Sequence, residues 1–288
     1  MIEFEFLSAK NIEEAINYMH NYKLSKLLAG GTDLLVDIHK ESPRLGEFSY
    51  VIDISNIEEL RFIKEYEDIV EIGPLTTHTM LIESPIINKY FPLLAIAAKT
   101  IGSPQIRNRG TIGGNISNAS PAADLVPPLM VLNAELELKS MDDKRFVPIE
   151  EFIVGPYKTS KKDDELITSI RIPKLDESYK GNFQKIGRRQ ALNIARLNLA
   201  LIAKIDEANK KIEDIRIVPG SATPYPLRFK NLEREIEGKT WNQLDLDYLS
   251  QKIGEEMISI TGERWSTPYK KPALGGILKK AMNELLNF

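Results

Sequence analysis

Hydrophobic spacing switches between two periods along the first 54 residues. Residues 4–7 alternate apolar and polar, as a half-buried strand does. Asn11 follows as an N-cap, with Glu13 and Glu14 opening a helix to about residue 22. Residues 26–29 form a short apolar strand that runs into Gly30-Gly31-Thr32-Asp33, and Leu34, Leu35 and Ile38 then recur at helical spacing. Residues 51–54 read as another strand. This alternation predicts a small αβ subdomain over residues 1–54.

Strands are predicted next at 61–64 and 69–72, split by the charged turn 65–68, and helices at 77–82 and 93–100. Residues 110–115 are a second glycine-rich stretch. Residues 125–132 predict a buried helix with Pro127 and Pro128 in its first turn, where proline is tolerated. Residues 135–139, 146–148 and 166–172 alternate as half-buried strands, and Pro173 ends the last. These make a second subdomain, 55–175. Residues 174–181 are polar and read as a linker. Strands at 183–186, 199–205 and 212–218 then precede helices at 227–235, 243–257 and 274–286. Strands followed by helices predict a C-terminal α+β domain, 176–288, with helices covering one face of an antiparallel sheet.

Composition narrows the chemistry. With 288 residues, 42% hydrophobic and 27% charged, the chain can bury a core unaided. Its net charge of −3 carries no nucleic-acid footprint. Its apolar stretches are too short to span a membrane. No signal peptide is legible, so the cytoplasm is the expected compartment. Cysteine is absent, which excludes disulfides, thiolate nucleophiles and cysteine-ligated iron–sulfur clusters. His20, His39 and His78 lie too far apart for a short metal motif and read as core or surface residues. Lys270-Lys271 and Lys279-Lys280 read as a solvated helix face, with a subunit-contact patch as the alternative.

Two segments carry chemistry: Leu27-Leu28-Ala29-Gly30-Gly31-Thr32-Asp33-Leu34 and Gly110-Thr111-Ile112-Gly113-Gly114-Asn115-Ile116-Ser117, with Asp124 downstream. Paired glycines let a ligand approach the main chain, and successive N–H groups can form an anion-binding nest. Two such loops could clamp a pyrophosphate without Lys or Arg. A valine at Gly31 would occupy space that the pyrophosphate needs. Neither loop fits the Rossmann or P-loop pattern, and taken singly each is also compatible with a tight turn.

Together the two segments resemble those of the FAD-binding medium subunits of the molybdenum hydroxylases, the xanthine dehydrogenase family. Ser103-Pro104-Gln105-Ile106-Arg107-Asn108, Ser120-Pro121-Ala122-Ala123-Asp124, Gly187-Arg188-Arg189 and Thr223-Pro224-Tyr225-Pro226 extend the resemblance over essentially the whole chain. It implies an α+β architecture: a two-subdomain FAD-binding fold of the vanillyl-alcohol-oxidase (PCMH) type, followed by the C-terminal domain. It places Gly30, Gly31, Thr32 and Asp33 at the FAD pyrophosphate, with Leu27, Leu28, Ala29 and Leu34 alongside. Thr111, Gly114, Asn115, Ser117 and Asp124 would hold the other side of the pyrophosphate and the ribityl chain. Ile101, Gly102 and Ile167 would approach the flavin, as would Gln184 or its neighbour Lys185.

The implied role is electron transfer. A molybdenum-binding large subunit and a small subunit with 2Fe-2S clusters would hold the other cofactors, and NAD(P)⁺ or another molecule would accept the electrons. No residue of this chain is expected to be catalytic, and no metal is expected on it. A free-standing flavin oxidoreductase of the same fold and an FAD-free assembly subunit are the alternatives.

Overall fold

A computed structural model describes residues 3–189 and 192–286. Strands Glu5–Ser8, Tyr50–Asp53 and Ser25–Leu28 lie side by side in that order and run parallel. Parallel strands need crossovers, and helices Ile12–Asn21 and Leu34–His39 supply them. Asn11 caps the first helix, its side-chain oxygen accepting from the Glu14 N–H at 2.8 Å. The strand Ser25–Leu28 ends just before the glycine pair, so the pair sits at a strand-to-helix turn.

The second sheet is antiparallel, in the order Ile63–Glu65, Ile69–Ile72, Leu166–Pro173, Glu135–Lys139, Lys144–Pro148. Its central strand, Leu166–Pro173, is buried for most of its length. A register shift between Ile167 and Ser169 marks a bulge. Around this sheet run short helices, three of which start on a proline: Pro85–Tyr90, Pro92–Lys99 and Pro104–Arg109. Proline suits that position because its missing N–H would have no helical partner there.

Several elements differ from the sequence-based expectation. The second glycine stretch is not an open loop. Gly113 and Gly114 sit in the first turn of a helix, Ile112–Asn118, whose cap Thr111 accepts from the Gly114 N–H at 3.1 Å. Glycine costs about 1 kcal/mol against alanine inside a helix. Here the neighbourhood demands it, since a Cβ on Gly113 would lie 2.5 Å from the Pro74 Cβ. The ribbon Ile153–Gly155 with Lys158–Thr159 was not anticipated, and the strand Tyr179–Ile186 starts inside the expected linker.

The third sheet is antiparallel, with Leu197–Asp206 between Tyr179–Ile186 and Lys211–Gly220. The two-residue period sorts its buried side chains. Leu199, Leu201 and Ala203 join the core beneath helices Lys230–Ile236, Leu246–Thr261 and Thr267–Leu286. Ala200 and Ile202 join the core of the second subdomain. The sheet is therefore covered on both faces, not on one. Among the described residues, no helix is long and apolar enough to cross a membrane.

Candidate functional site

The first two sheets and the ribbon border a cleft of about 1460 Å³, to which the C-terminal domain adds the loop residues Leu192, Asn193 and Ile194. That exceeds the size typical of small-ligand pockets and leaves room for a dinucleotide. The two glycine segments touch at its floor. A Cβ on Gly30 would lie 2.0 Å from the Arg109 carbonyl oxygen, and one on Gly110 would lie 2.9 Å from His78 Nε2. Gly31 has φ +75°, and a Cβ there would meet Leu35 and Leu28 side chains at 2.9 and 3.2 Å. That corrects the expectation that a larger residue at Gly31 would fill pyrophosphate space. It would push into the strand–helix packing instead.

The two segments contribute differently. Among the described residues, the N–H groups of Gly30, Gly31, Thr32, Asp33 and Leu34 donate to no protein acceptor. Five successive free donors at a helix start favour an anion. In the second segment most of the donors are spent. Ile112 N–H goes to Thr76 O, Gly113 N–H to Pro74 O and Asn115 N–H to Thr111 O, each at 2.9 Å. The expectation of a nest on both sides is therefore corrected: the first loop offers backbone donors, the second offers side chains. Asn115 Oδ1 is enclosed without a protein partner, and Ser117 lines the cleft.

Side chains bring charge to the walls. Arg44 lines the cleft, held by Asp37 through Nη2 at 2.7 and 2.8 Å, with its guanidinium 4.4 Å from the Tyr157 ring centroid. Lys26 and Lys161 line it too, so an anion would not depend on the backbone alone. Burial pushes the Lys161 ammonium down, and its Nζ donates to Lys162 O and Glu165 O at 2.8 and 2.9 Å. Burial raises the Asp33 carboxyl, with Asp37 adding to the effect and Arg44 opposing it. Asp33 makes no cap hydrogen bond, which leaves its oxygens available to hydroxyl groups.

Asp124 is the most enclosed acid of the cleft, at 7% exposure. Its Oδ2 accepts from Lys185 Nζ at 2.6 Å and its Oδ1 from Asn198 Nδ2 at 2.9 Å. Burial pushes the carboxyl up, against the pull of Lys185 and Asn198. Lys185 Nζ also donates to Thr100 O at 3.0 Å, next to Ile101. Gln184 points the other way and donates to Glu284 Oε2 at 2.7 Å. Neither residue lines the cleft; Lys185 reaches its wall at Asp124, and Gln184 turns toward Glu284.

Arg107 fixes Ile101 and Gly102 by donating to both carbonyls, at 3.0 and 2.9 Å. The bulge after Ile167 lets Leu166 and Ile167 both line the cleft. Leu27, Ala29, Leu34, Thr111 and Gly114 line it as well. Leu28 does not, and packs instead against the Leu45, Phe48 and Val51 cluster.

His78 is buried, in line with the expectation of a core or surface histidine, and it also lines the cleft wall. It is 3% exposed, and burial together with the Arg107 charge lowers its pKa to about 4 from 6.5. Below pH 6.5 the unfolded chain binds a proton that the folded one refuses, so stability falls as pH drops from about 6.5 to about 4. Between about pH 7.5 and pH 5 the loss is roughly 2 kcal/mol. Thermal melts should show this drop in the wild type and a flatter response in His78→Gln. Parallel pH profiles would mean that His78 titrates as a hydrated residue.

Sequence reading missed His78, Arg44, Tyr157 and Lys161. Each reaches the cleft through long-range packing that no local spacing encodes.

Comparison with known proteins gives a consistent result. Residues 2–175 match the family described as "FAD binding domain in molybdopterin dehydrogenase", and residues 182–285 match "CO dehydrogenase flavoprotein C-terminal domain". A putative xanthine dehydrogenase FAD-binding subunit of Escherichia coli K12 is 34% identical over 98% of this chain and 96% of its own length. The glyceraldehyde dehydrogenase medium chain of Sulfolobus acidocaldarius is 32% identical over 98% of each chain. A chain of carbon monoxide dehydrogenase from Hydrogenophaga pseudoflava superposes with a TM-score of 0.88 at 31% identity, covering 99% of this chain and 98% of that one.

Proposed function

The chain belongs to the family of FAD-binding subunits of molybdopterin dehydrogenases, and from that premise we propose that it is the electron-transfer subunit of a multi-subunit molybdenum hydroxylase. In this reading it stands between a small subunit bearing 2Fe-2S clusters and a soluble acceptor, NAD(P)⁺ or another. A separate large subunit holds the molybdenum cofactor. The observation that supports it best is the run of five unsatisfied N–H groups from Gly30 to Leu34, facing a cleft of dinucleotide size.

FAD supplies the redox chemistry when bound. The chain's residues bind and orient it. The N–H groups of Gly30 to Leu34 would take the pyrophosphate, helped by nearby cations. Asp33 and Asp124 would accept from hydroxyl groups. Ile101 and Ile167 offer apolar contact to a ring. An assembly subunit without FAD would leave the five donors without a ligand.

The test is spectroscopic. The purified chain should be yellow, with about one flavin per chain, and acid precipitation should release all of it. No cysteine exists to tether a flavin. His78 is enclosed, and Tyr157 stacks on Arg44. The chain tagged in its own host should also bring iron and molybdenum with it. A colourless protein, or a yellow one that turns over a substrate alone, would overturn the reading.

A further inference from the structure

His78 stands where the two glycine segments meet. Its N–H donates to the Gly110 carbonyl at 3.0 Å, and Thr77 before it bridges Thr111. A Cβ on Gly110 would lie 2.9 Å from His78 Nε2 and 3.0 Å from Cδ2, so that edge of the ring rests on the bare Cα. Gly110 has φ −61° and ψ 135°, extended values open to any residue. Its backbone does not call for glycine; the ring against it does. The Gly110 Cα would in turn lie 3.1 Å from a Cβ on Gly30, whose N–H opens the run of five free donors. Successive contacts therefore link the ring edge, through Gly110, to the donor loop.

The two ring nitrogens have different surroundings. Nδ1 is enclosed without a hydrogen-bond partner. Among the described residues Nε2 makes no hydrogen bond either, but it is not enclosed, and the imidazole lines the cleft. A neutral imidazole carries one N–H and one bare nitrogen. A proton on Nδ1 would bury a donor with no acceptor, the costlier orphan, so the proton belongs on Nε2. The ring is uncharged at neutral pH, because burial and the Arg107 charge both oppose protonation. Arg107 Nη1 is itself committed to the carbonyls of Ile101 and Gly102. The second wall thus presents an uncharged N–H without an acceptor in the protein. Taking such a donor out of water costs far less than burying an ammonium, and an anion met by the Gly30–Leu34 N–H groups needs no second full charge. A leucine would fill the same space without an orphaned Nδ1, so packing alone does not account for the polar ring.

We infer that His78 is a cofactor-binding residue, whose Nε2–H donates to a phosphate oxygen of the FAD pyrophosphate from the wall facing the Gly30–Leu34 donors. This rests on the reading that FAD seats its pyrophosphate on those donors, and it adds a side-chain donor from the other wall. It also gives Gly110 its reason, since any side chain there would drive the ring from the position its donor must hold.

The test uses the full chain, labelled with nitrogen-15, in its flavin-stripped and FAD-saturated forms. The chain has three histidines, and His20 and His39 do not line the cleft, so those two serve as internal references. At neutral pH the His78 ring should carry its proton on Nε2 in both forms. The Nε2 signal should shift when FAD binds, while the ring signals of His20 and His39 stay in place. One of the two phosphorus resonances of bound FAD should move between wild type and His78→Leu. His78→Leu should bind FAD about tenfold or more weakly than wild type. His78→Gln, whose amide can donate from nearly the same place, should stay within about threefold. An Nε2 signal that FAD does not move, or phosphorus signals identical in wild type and His78→Leu, overturns the inference; a wild type that still takes up FAD leaves the electron-transfer reading intact. Equal losses in the leucine and glutamine variants reduce His78 to packing and overturn it as well. Should His78→Leu not fold, the wild-type ring signals decide alone. A stripped wild type that takes up no FAD overturns both.

Discussion

Replacing Gly30 by alanine should strip the protein of FAD while leaving it folded. The added Cβ would lie 2.0 Å from the carbonyl oxygen of Arg109 and 2.7 Å from its carbon. Both are backbone atoms with no rotamer to yield, so the two glycine segments must move apart. The Gly30–Leu34 donors then no longer face the partner wall. Hydrogen bonds to a charged phosphate are worth about 1.5–3 kcal/mol each, and losing two costs about 3–6 kcal/mol. That corresponds to a roughly 10²- to 10⁴-fold weaker affinity. None of the hydrophobic cores includes Gly30, so the apoprotein should still fold, but it should melt below flavin-stripped wild type because a backbone contact is forced apart. Flavin per chain and a thermal melt check this. Full flavin occupancy in Gly30→Ala would show that the two segments need not touch.

The second large effect is expected at Lys185. Its ammonium and the Asp124 carboxylate are each 8% exposed and 2.6 Å apart. Breaking a buried pair from one side leaves an uncompensated charge, at a cost of about 3–5 kcal/mol. Lys185→Met should therefore lower the melting temperature by roughly 5–15 °C. It should also reduce flavin retention, because Asp124 loses the contact that aims it. Removing both charges, Asp124→Asn with Lys185→Met, should recover most of the stability and little of the flavin. Burial already pushes the Asp124 carboxyl up. Without Lys185 it rises further, so the single variant's deficit should shrink as pH falls and the carboxyl takes a proton. A single variant as stable as wild type at neutral pH would mean that water reaches the pair.

Much of this was legible in the sequence where a local signal coincided with the packing. Asn11 announced its helix, and the alternation at residues 166–172 announced the central strand. The paired glycines marked both walls of the cleft. Other features followed from contacts that local spacing does not carry. Gly113-Gly114 looked like a loop because glycine disfavours helix, yet Pro74 and the Thr111 cap impose one. The strand period put Gln184 and Lys185 on opposite faces, but only the position of Asp124 decides which face matters. Arg44 and Tyr157 lie more than a hundred residues apart and meet across the cleft. The ribbon at Ile153–Gly155 is too short to show a period.

One packing detail governs when the cleft can exist. The core under the first sheet holds Ala15, Ile16, Met19 and Ile52, and it is closed by Ile57, Leu60, Leu75 and Leu166. Leu166 lies about 150 residues beyond Ala15, and a closure of that span carries a large entropic cost before any contact offsets it. On the ribosome, residues 1–54 emerge with a core that lacks its lid. The glycine turn at their centre is left without the wall it faces until the segment around Arg109 and Gly110 has been synthesised. Asp124, Leu166 and Ile167 line the same cleft and follow later, so its walls are complete only when the chain as far as Ile167 has left the exit tunnel.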